Sequence, residues 1–133
     1  MRVWLSIAAL AFSLDTFGHH SASIFDPTTI TTVEGRVTRV SWKSPHVYVF
    51  IETTEGTETA EWRFESVGVP ILVRQGWTED SLTPGEVVIA EVYALRNSDQ
   101  RYAWLQRVIK EDGTVLDTGR FGPARLADDG SER

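Results

Sequence analysis

The sequence contains no cysteine. This absence excludes disulfide bonds, thiolate metal sites, iron–sulfur clusters and a cysteine nucleophile. The stability of the folded chain must therefore come from core packing and hydrogen bonding.

Basic residues are few, because 13 Lys and Arg stand against 19 Asp and Glu and give a formal net charge of −6. Binding to nucleic acid depends on clustered Lys and Arg, and anionic membrane surfaces attract the same residue types. We therefore expect neither nucleic acid nor an anionic membrane surface as a partner.

Signatures of catalysis are also lacking. The sequence has no G-x-S-x-G elbow, no H-E-x-x-H motif, no phosphate loop and no glycine-rich dinucleotide turn. Glu61 and Glu65 fall on one face of a predicted strand at a separation of ~13 Å, too far apart for a glycosidase pair. We expect a protein that is not an enzyme.

The first 18 residues have the pattern of a secretory signal peptide. Arg2 provides a positive start, residues 3–14 are apolar or small, and Thr16-Phe17-Gly18 forms a small-x-small cleavage site. The alternative is an N-terminal core helix. No other stretch approaches the ~20 apolar residues of a membrane-spanning helix. We expect a periplasmic or secreted protein that is not inserted in the membrane after cleavage.

The remainder is predicted to form one domain, over residues 19–120, followed by a flexible tail over residues 121–133. A content of 41% hydrophobic and 24% charged residues is that of an ordinary globular domain. The tail has few residues to bury.

Residues 33–42 and 46–52 predict two β-strands joined by a turn at Lys43-Ser44-Pro45. The second strand alternates cleanly. One set is aliphatic and predicts the core face: Val47, Val49 and Ile51. The other set leaves a histidine and two aromatic residues on the opposite face, where a ligand can reach them: His46, Tyr48 and Phe50.

The rest of the chain predicts three more strands and one short helix. The strands cover residues 59–67, 86–95 and 102–110, with a short extension near residues 115–116; the helix lies within residues 68–77, between Pro70 and Gly76. Residues 19–27 are expected to be an irregular lead-in, and Gly35 suits a bulge or bend. This element order predicts an all-β fold, a five-stranded OB-like Greek-key barrel; a small β-sandwich is the alternative.

Several motifs resemble those of a family of small exported bacterial proteins of unknown function, DUF6152. They occur in the same order along nearly the whole mature chain: H-H-S at residues 19–21, F-D at 25–26, G-x-V-x-x-V-x-W at 35–42, S-P-H at 44–46, R-x-G-W at 74–77 and L-x-P-G-x-V-V at 82–88. The usual form of the S-P-H motif in the family is N-P-H, from which Ser44 departs by lacking an amide. The resemblance implies export and an OB-like barrel, and brings no established activity.

The three histidines of the chain form a candidate metal site. Cleavage after Gly18 would give His19 a free amine that chelates together with its ring nitrogen; His46 is the third donor, with His20 as the alternative. Imidazole suits Cu(II) and Zn(II), with copper highest in the affinity order. We expect copper or zinc as the cofactor if there is one. The alternative is a solvated histidine pair at the terminus and a histidine that only closes a turn.

A second candidate is a metal-free ligand face on the second and third strands, for a small ligand or a periplasmic protein partner. Aromatic side chains there can stack on a ligand while charged groups orient it. Its members are Trp42, His46, Tyr48, Phe50, Arg63 and Glu65. The alternative is a solvated polar face with the aromatic side chains covered by the N-terminal lead-in. Trp42, Trp62, Trp77 and Trp104 otherwise have the character of core or rim residues.

Overall fold

The computed structural model describes residues 24–119. The elements in this range are six strands and one short helix: β1 (Phe25–Ser41), β2 (Tyr48–Glu55), β3 (Glu58–Glu65), α1 (Val69–Arg74), β4 (Val87–Leu95), β5 (Tyr102–Lys110) and β6 (Val115–Asp117). The prediction of an all-β fold with one short helix between the third and fourth strands is confirmed. The predicted signal peptide and C-terminal tail lie outside the described residues.

The strands form a closed barrel. They follow the order β3-β2-β1-β4-β5-β6, and β3 also pairs with β5. That closing pair is parallel, with Arg63 opposite Tyr102 and Glu65 opposite Trp104, whereas the other pairs are antiparallel. The five-stranded OB-like barrel is thus confirmed, and β6 is an extra strand added to the edge of β5.

Strand β1 serves two neighbours. Its first part pairs with β4 and its last part with β2, and Arg36 lies opposite both Val87 and Glu52. Gly35 stands at this junction because β2 approaches very closely: a Cβ added there would lie 2.4 Å from the carbonyl oxygen of Glu52. The irregularity in the β1–β2 register falls between Val37 and Arg39, beyond the predicted position.

The predicted start of β1 was wrong. We expected an irregular lead-in through residue 27, but β1 begins at Phe25, which lies opposite Leu95 of β4. Phe25 is fully buried against Tyr93 and Trp104, and this packing outweighs the turn tendency of Asp26-Pro27. In place of a turn at Asp26-Pro27, the β1–β4 pairing has a register shift between Phe25 and Ile30.

The main core lies inside the barrel. Val47, Val49 and Ile51 are completely buried, as their alternation predicted. Helix α1 packs here through Leu72, and Trp77 follows it with its indole Nε1 donating to the carbonyl oxygen of Asp117 at 2.7 Å. Within residues 24–119 no helix is long and apolar enough to cross a membrane.

Candidate functional site

The strand register gathers the predicted ligand-face residues into two adjacent rows. One row runs across β2, β3 and β5 through Tyr48, Glu65 and Trp104. The next row contains Phe50, Arg63 and Tyr102. Both rows lie on the face opposite the main core, because directly opposed residues share a face of the sheet.

Glu65 is the buried centre of this region, with 3% of its surface exposed. Its two carboxylate oxygens accept hydrogen bonds from different side chains, Oε1 from Nδ1 of His46 and Oε2 from the hydroxyl of Tyr102. A buried carboxylate without partners is strongly unfavourable. The two donors therefore explain why an acidic residue is tolerated here.

Aromatic rings cover the carboxylate and hold its partners. Trp104 meets the His46 ring edge-on, at 5.8 Å between centroids and an interplanar angle of 84°. Phe25 packs on both Tyr102 and Trp104, at 5.4 and 5.8 Å between centroids. The first residue of β1 thus closes over the site from outside the barrel.

His46 was predicted to be the first residue of the second strand, but it lies just before β2. Strand β2 begins at Tyr48, because the N–H of Val47 donates to the carbonyl of Val67 and not to β1. The side chain of His46 is 31% exposed. It is therefore anchored on one side and reachable on the other.

This geometry selects one tautomer of the neutral imidazole. A carboxylate is only an acceptor, so His46 donates its Nδ1–H to Glu65, and the neutral ring keeps its lone pair on Nε2. The same carboxylate–histidine arrangement orients the histidines that ligate metals in many proteins. His46 can thus supply one nitrogen donor, or accept a proton, through Nε2.

The aromatic part of the predicted ligand face is less open than expected. Phe50 is only 8% exposed and lies beneath the guanidinium of Arg39, 3.4 Å from its ring centroid. Arg63 is exposed and lies over Tyr102 at 4.2 Å and near Tyr48 at 5.8 Å. Trp42 is partly buried against the main core.

Burial and two neighbouring charged groups affect the pKa of Tyr48. Desolvation raises the pKa of the Tyr48 phenol, the Glu65 carboxylate raises it further, and Arg63 acts in the opposite direction. The phenol therefore stays neutral across the physiological range and can serve as a hydrogen-bonding group.

Of the predicted metal donors, only His46 lies in the described range; His19 and His20 lie outside it. Among residues 24–119 there is no group of three or more His, Asp or Glu side chains arranged to hold a metal ion. The sequence reasoning also missed Tyr102. Tyr102 and Trp104 are two residues apart in β5 and therefore share one face of the strand. That this face adjoins Glu65 follows only from the pairing of β5 with β3.

Comparison with known proteins addresses the family of this chain. A search of curated proteins finds no match. The profile of a family of unknown function, DUF6152, matches residues 7–111, which span the described barrel through β5. That match confirms the resemblance carried by the sequence motifs, and the chain belongs to DUF6152.

Proposed function

We propose that this protein is an exported binding module that takes up copper or zinc through His46 together with His19 and His20. The observation that carries the proposal is the hydrogen bond between Nδ1 of His46 and the buried carboxylate of Glu65. It fixes the tautomer whose Nε2 is a metal donor. Export is supported by the apolar segment that follows Arg2.

The histidine pair is close enough along the chain to contribute. Phe25 packs on Trp104, which in turn packs on His46. Residue 25 therefore lies beside the site. Six residues of extended chain span up to ~20 Å. The segment before Ile24 is therefore long enough to bring His19 or His20 to Nε2 of His46.

The donor chemistry favours a borderline divalent ion. The chain offers imidazole nitrogens and, after cleavage at Gly18, a terminal amine, and it has no thiolate. Such nitrogen donors suit Cu(II) and Zn(II), with copper bound more tightly. Because residues 24–119 provide no complete donor group, uptake requires donors from outside this range, and the proposal assigns them to His19 and His20.

The test is calorimetric titration with Cu(II) and then Zn(II) of protein exported by its own signal, after mass spectrometry has identified its N-terminus. We expect one-to-one uptake that is lost in His46→Ala and weakened about 10- to 100-fold in Glu65→Gln. Lys43→Ala is the matched control, since Lys43 is exposed in the same turn and is a poor donor for these metals. No uptake, or unchanged uptake in His46→Ala, would contradict the proposal.

A second candidate is a metal-free interface on the outer face of β2 and β3. It is favoured by Arg63, which is exposed and stacked on Tyr102, because stacked arginines often serve as interface anchors. An N-terminal tag separates the two candidates: it blocks the amine of His19 and leaves this face unchanged. Neither candidate includes a catalytic step.

A further inference from the structure

An open cavity of about 600 Å³ lies at the far end of β2 from His46. It is bordered by the hairpin between β2 and β3 and by the turn between β4 and β5, through Glu55, Glu58, Trp62, Asp99 and Arg101. None of the described residues that line it forms a hydrogen bond, ion pair or ring contact with His46 or Glu65. It is therefore independent of the proposed metal site.

Trp62 provides the aromatic surface of this cavity. It stacks on the fully buried Phe64 with 5.8 Å between centroids and an interplanar angle of 22°, and the stack fixes the orientation of the indole. Within residues 24–119 the Trp62 indole N–H has no hydrogen-bond partner. A flat apolar ring with a polar edge is the surface on which the C–H face of a sugar packs.

The rim of the cavity is polar and unpaired. Across the described range, the side chains of Glu55, Glu58, Asp99 and Arg101 form neither ion pairs nor hydrogen bonds. Carboxylates accept hydrogen bonds from hydroxyl groups, and the guanidinium donates to them. The rim therefore presents both kinds of partner that a hydroxyl-rich ligand needs.

The charge of the cavity rim favours one of the two ligand classes that OB folds bind. In OB folds the outer surface of strands 2 and 3, with the loop between strands 4 and 5, binds oligonucleotides or oligosaccharides; this cavity adjoins that surface at the β4–β5 turn, with Trp62 packed partly against the main core. The rim has three carboxylates against one arginine, and a phosphodiester chain would be repelled. We propose that this cavity binds a neutral oligosaccharide, with a sugar ring stacked on Trp62 and hydroxyl groups bonded to Asp99 and Arg101.

The test uses ¹⁵N-labelled protein, kept metal-free with a chelator, and three probes titrated separately: maltohexaose, cellohexaose and chitohexaose. The indole N–H signal of Trp62 is identified by its loss in Trp62→Phe. We expect that signal to shift saturably with at least one probe. The double variant Asp99→Asn/Arg101→Ala should bind about tenfold more weakly.

The control double variant is Asp80→Asn/Arg74→Ala, which makes the same charge changes at exposed positions away from the cavity and should bind normally. The proposal is overturned if none of the three saccharides moves the Trp62 signal. It is also overturned if Asp99→Asn/Arg101→Ala binds as well as the control. A single-stranded oligothymidylate that shifts the same signal would replace the assigned ligand class with nucleic acid. Failure of the metal proposal leaves these outcomes unaffected.

Discussion

Glu65 links the stability of the barrel to the proposed site. Its carboxylate is buried, and both oxygens are satisfied by side chains, from His46 on one side and Tyr102 on the other. Of these donors, the hydroxyl of Tyr102 is the one that can be removed with little change of shape. Tyr102 therefore offers a direct measure of what satisfying this carboxylate contributes.

We predict that Tyr102→Phe lowers the free energy of unfolding by about 1–3 kcal/mol, because it leaves one oxygen of a buried carboxylate without its donor. Tyr48→Phe is the matched control, since within residues 24–119 the Tyr48 hydroxyl makes no hydrogen bond; its cost should stay within about 0.5 kcal/mol. Urea unfolding followed by tryptophan fluorescence measures both values. Equal stabilities of the two variants would show that the Tyr102–Glu65 bond contributes nothing.

At the level of elements, local patterns predicted most of the barrel. Strand β5 occupies the predicted residues 102–110, and α1 begins and ends near Pro70 and Gly76, as expected from the backbone preferences of these residues. The start of β1 could not be predicted, because a local Asp-Pro signal competes there with the burial of Phe25 against residues about 70 positions away.

The candidate site was predictable only in part, for the same reason. His46 is visible from the alternation of β2 and from the rarity of histidine. Its partnership with Glu65 follows from the β2–β3 hairpin, where Tyr48 opposes Glu65. The contributions of Tyr102 and Trp104 depend on a parallel pairing between strands far apart in sequence, which no local periodicity encodes.

The turn that leads into β4 carries a pH-dependent contribution to stability. The backbone N–H of Thr83 donates to Glu86 at 2.7 Å, and Nζ of Lys110 lies 2.9 Å from the same carboxylate. These bonds, led by that of Thr83, lower the pKa of Glu86 below its ordinary value of 4.5. The stabilisation is thus fully present above pH 4.5 and is lost as the pH falls through the lowered pKa of the folded state.

We predict that Glu86→Gln lowers the free energy of unfolding by about 0.5–1 kcal/mol at neutral pH, a small value because the side chain is partly exposed and screened. The difference from the unsubstituted protein should shrink as the pH falls below 4.5. Urea unfolding across this range measures it, with Glu79→Gln, an exposed glutamate outside the turn, as control. A difference that does not vary with pH would contradict the assignment.

At the scale of the whole molecule, the barrel is closed by an interstrand pairing of only three residues on each strand. The parallel β3–β5 pair involves only Arg63–Glu65 and Tyr102–Trp104, whereas the antiparallel β1–β4 ladder extends from Phe25 to Arg36. Parallel pairing is also slightly less stable per residue. We therefore expect the barrel to open most readily at the β3–β5 pair.

Native-state hydrogen exchange can test this difference. We predict that the amide of Arg63, which donates to the carbonyl of Arg101 at 3.0 Å, exchanges through an opening of lower free energy than the protected amides of the β1–β4 ladder. Exchange rates measured by NMR across a series of low denaturant concentrations give both opening energies. Identical values would mean that the barrel opens only as a single unit.

The late position of β5 also determines how the protein assembles during synthesis. A nascent chain that has emerged only as far as β4 contains β1, β2 and β3 but not the strand that closes the barrel. The unpaired edge of β3 is then a template for pairing with other extended chains. We therefore expect productive folding to wait until residues 102–104 are available, and the exposed edge of β3 to favour aggregation until then.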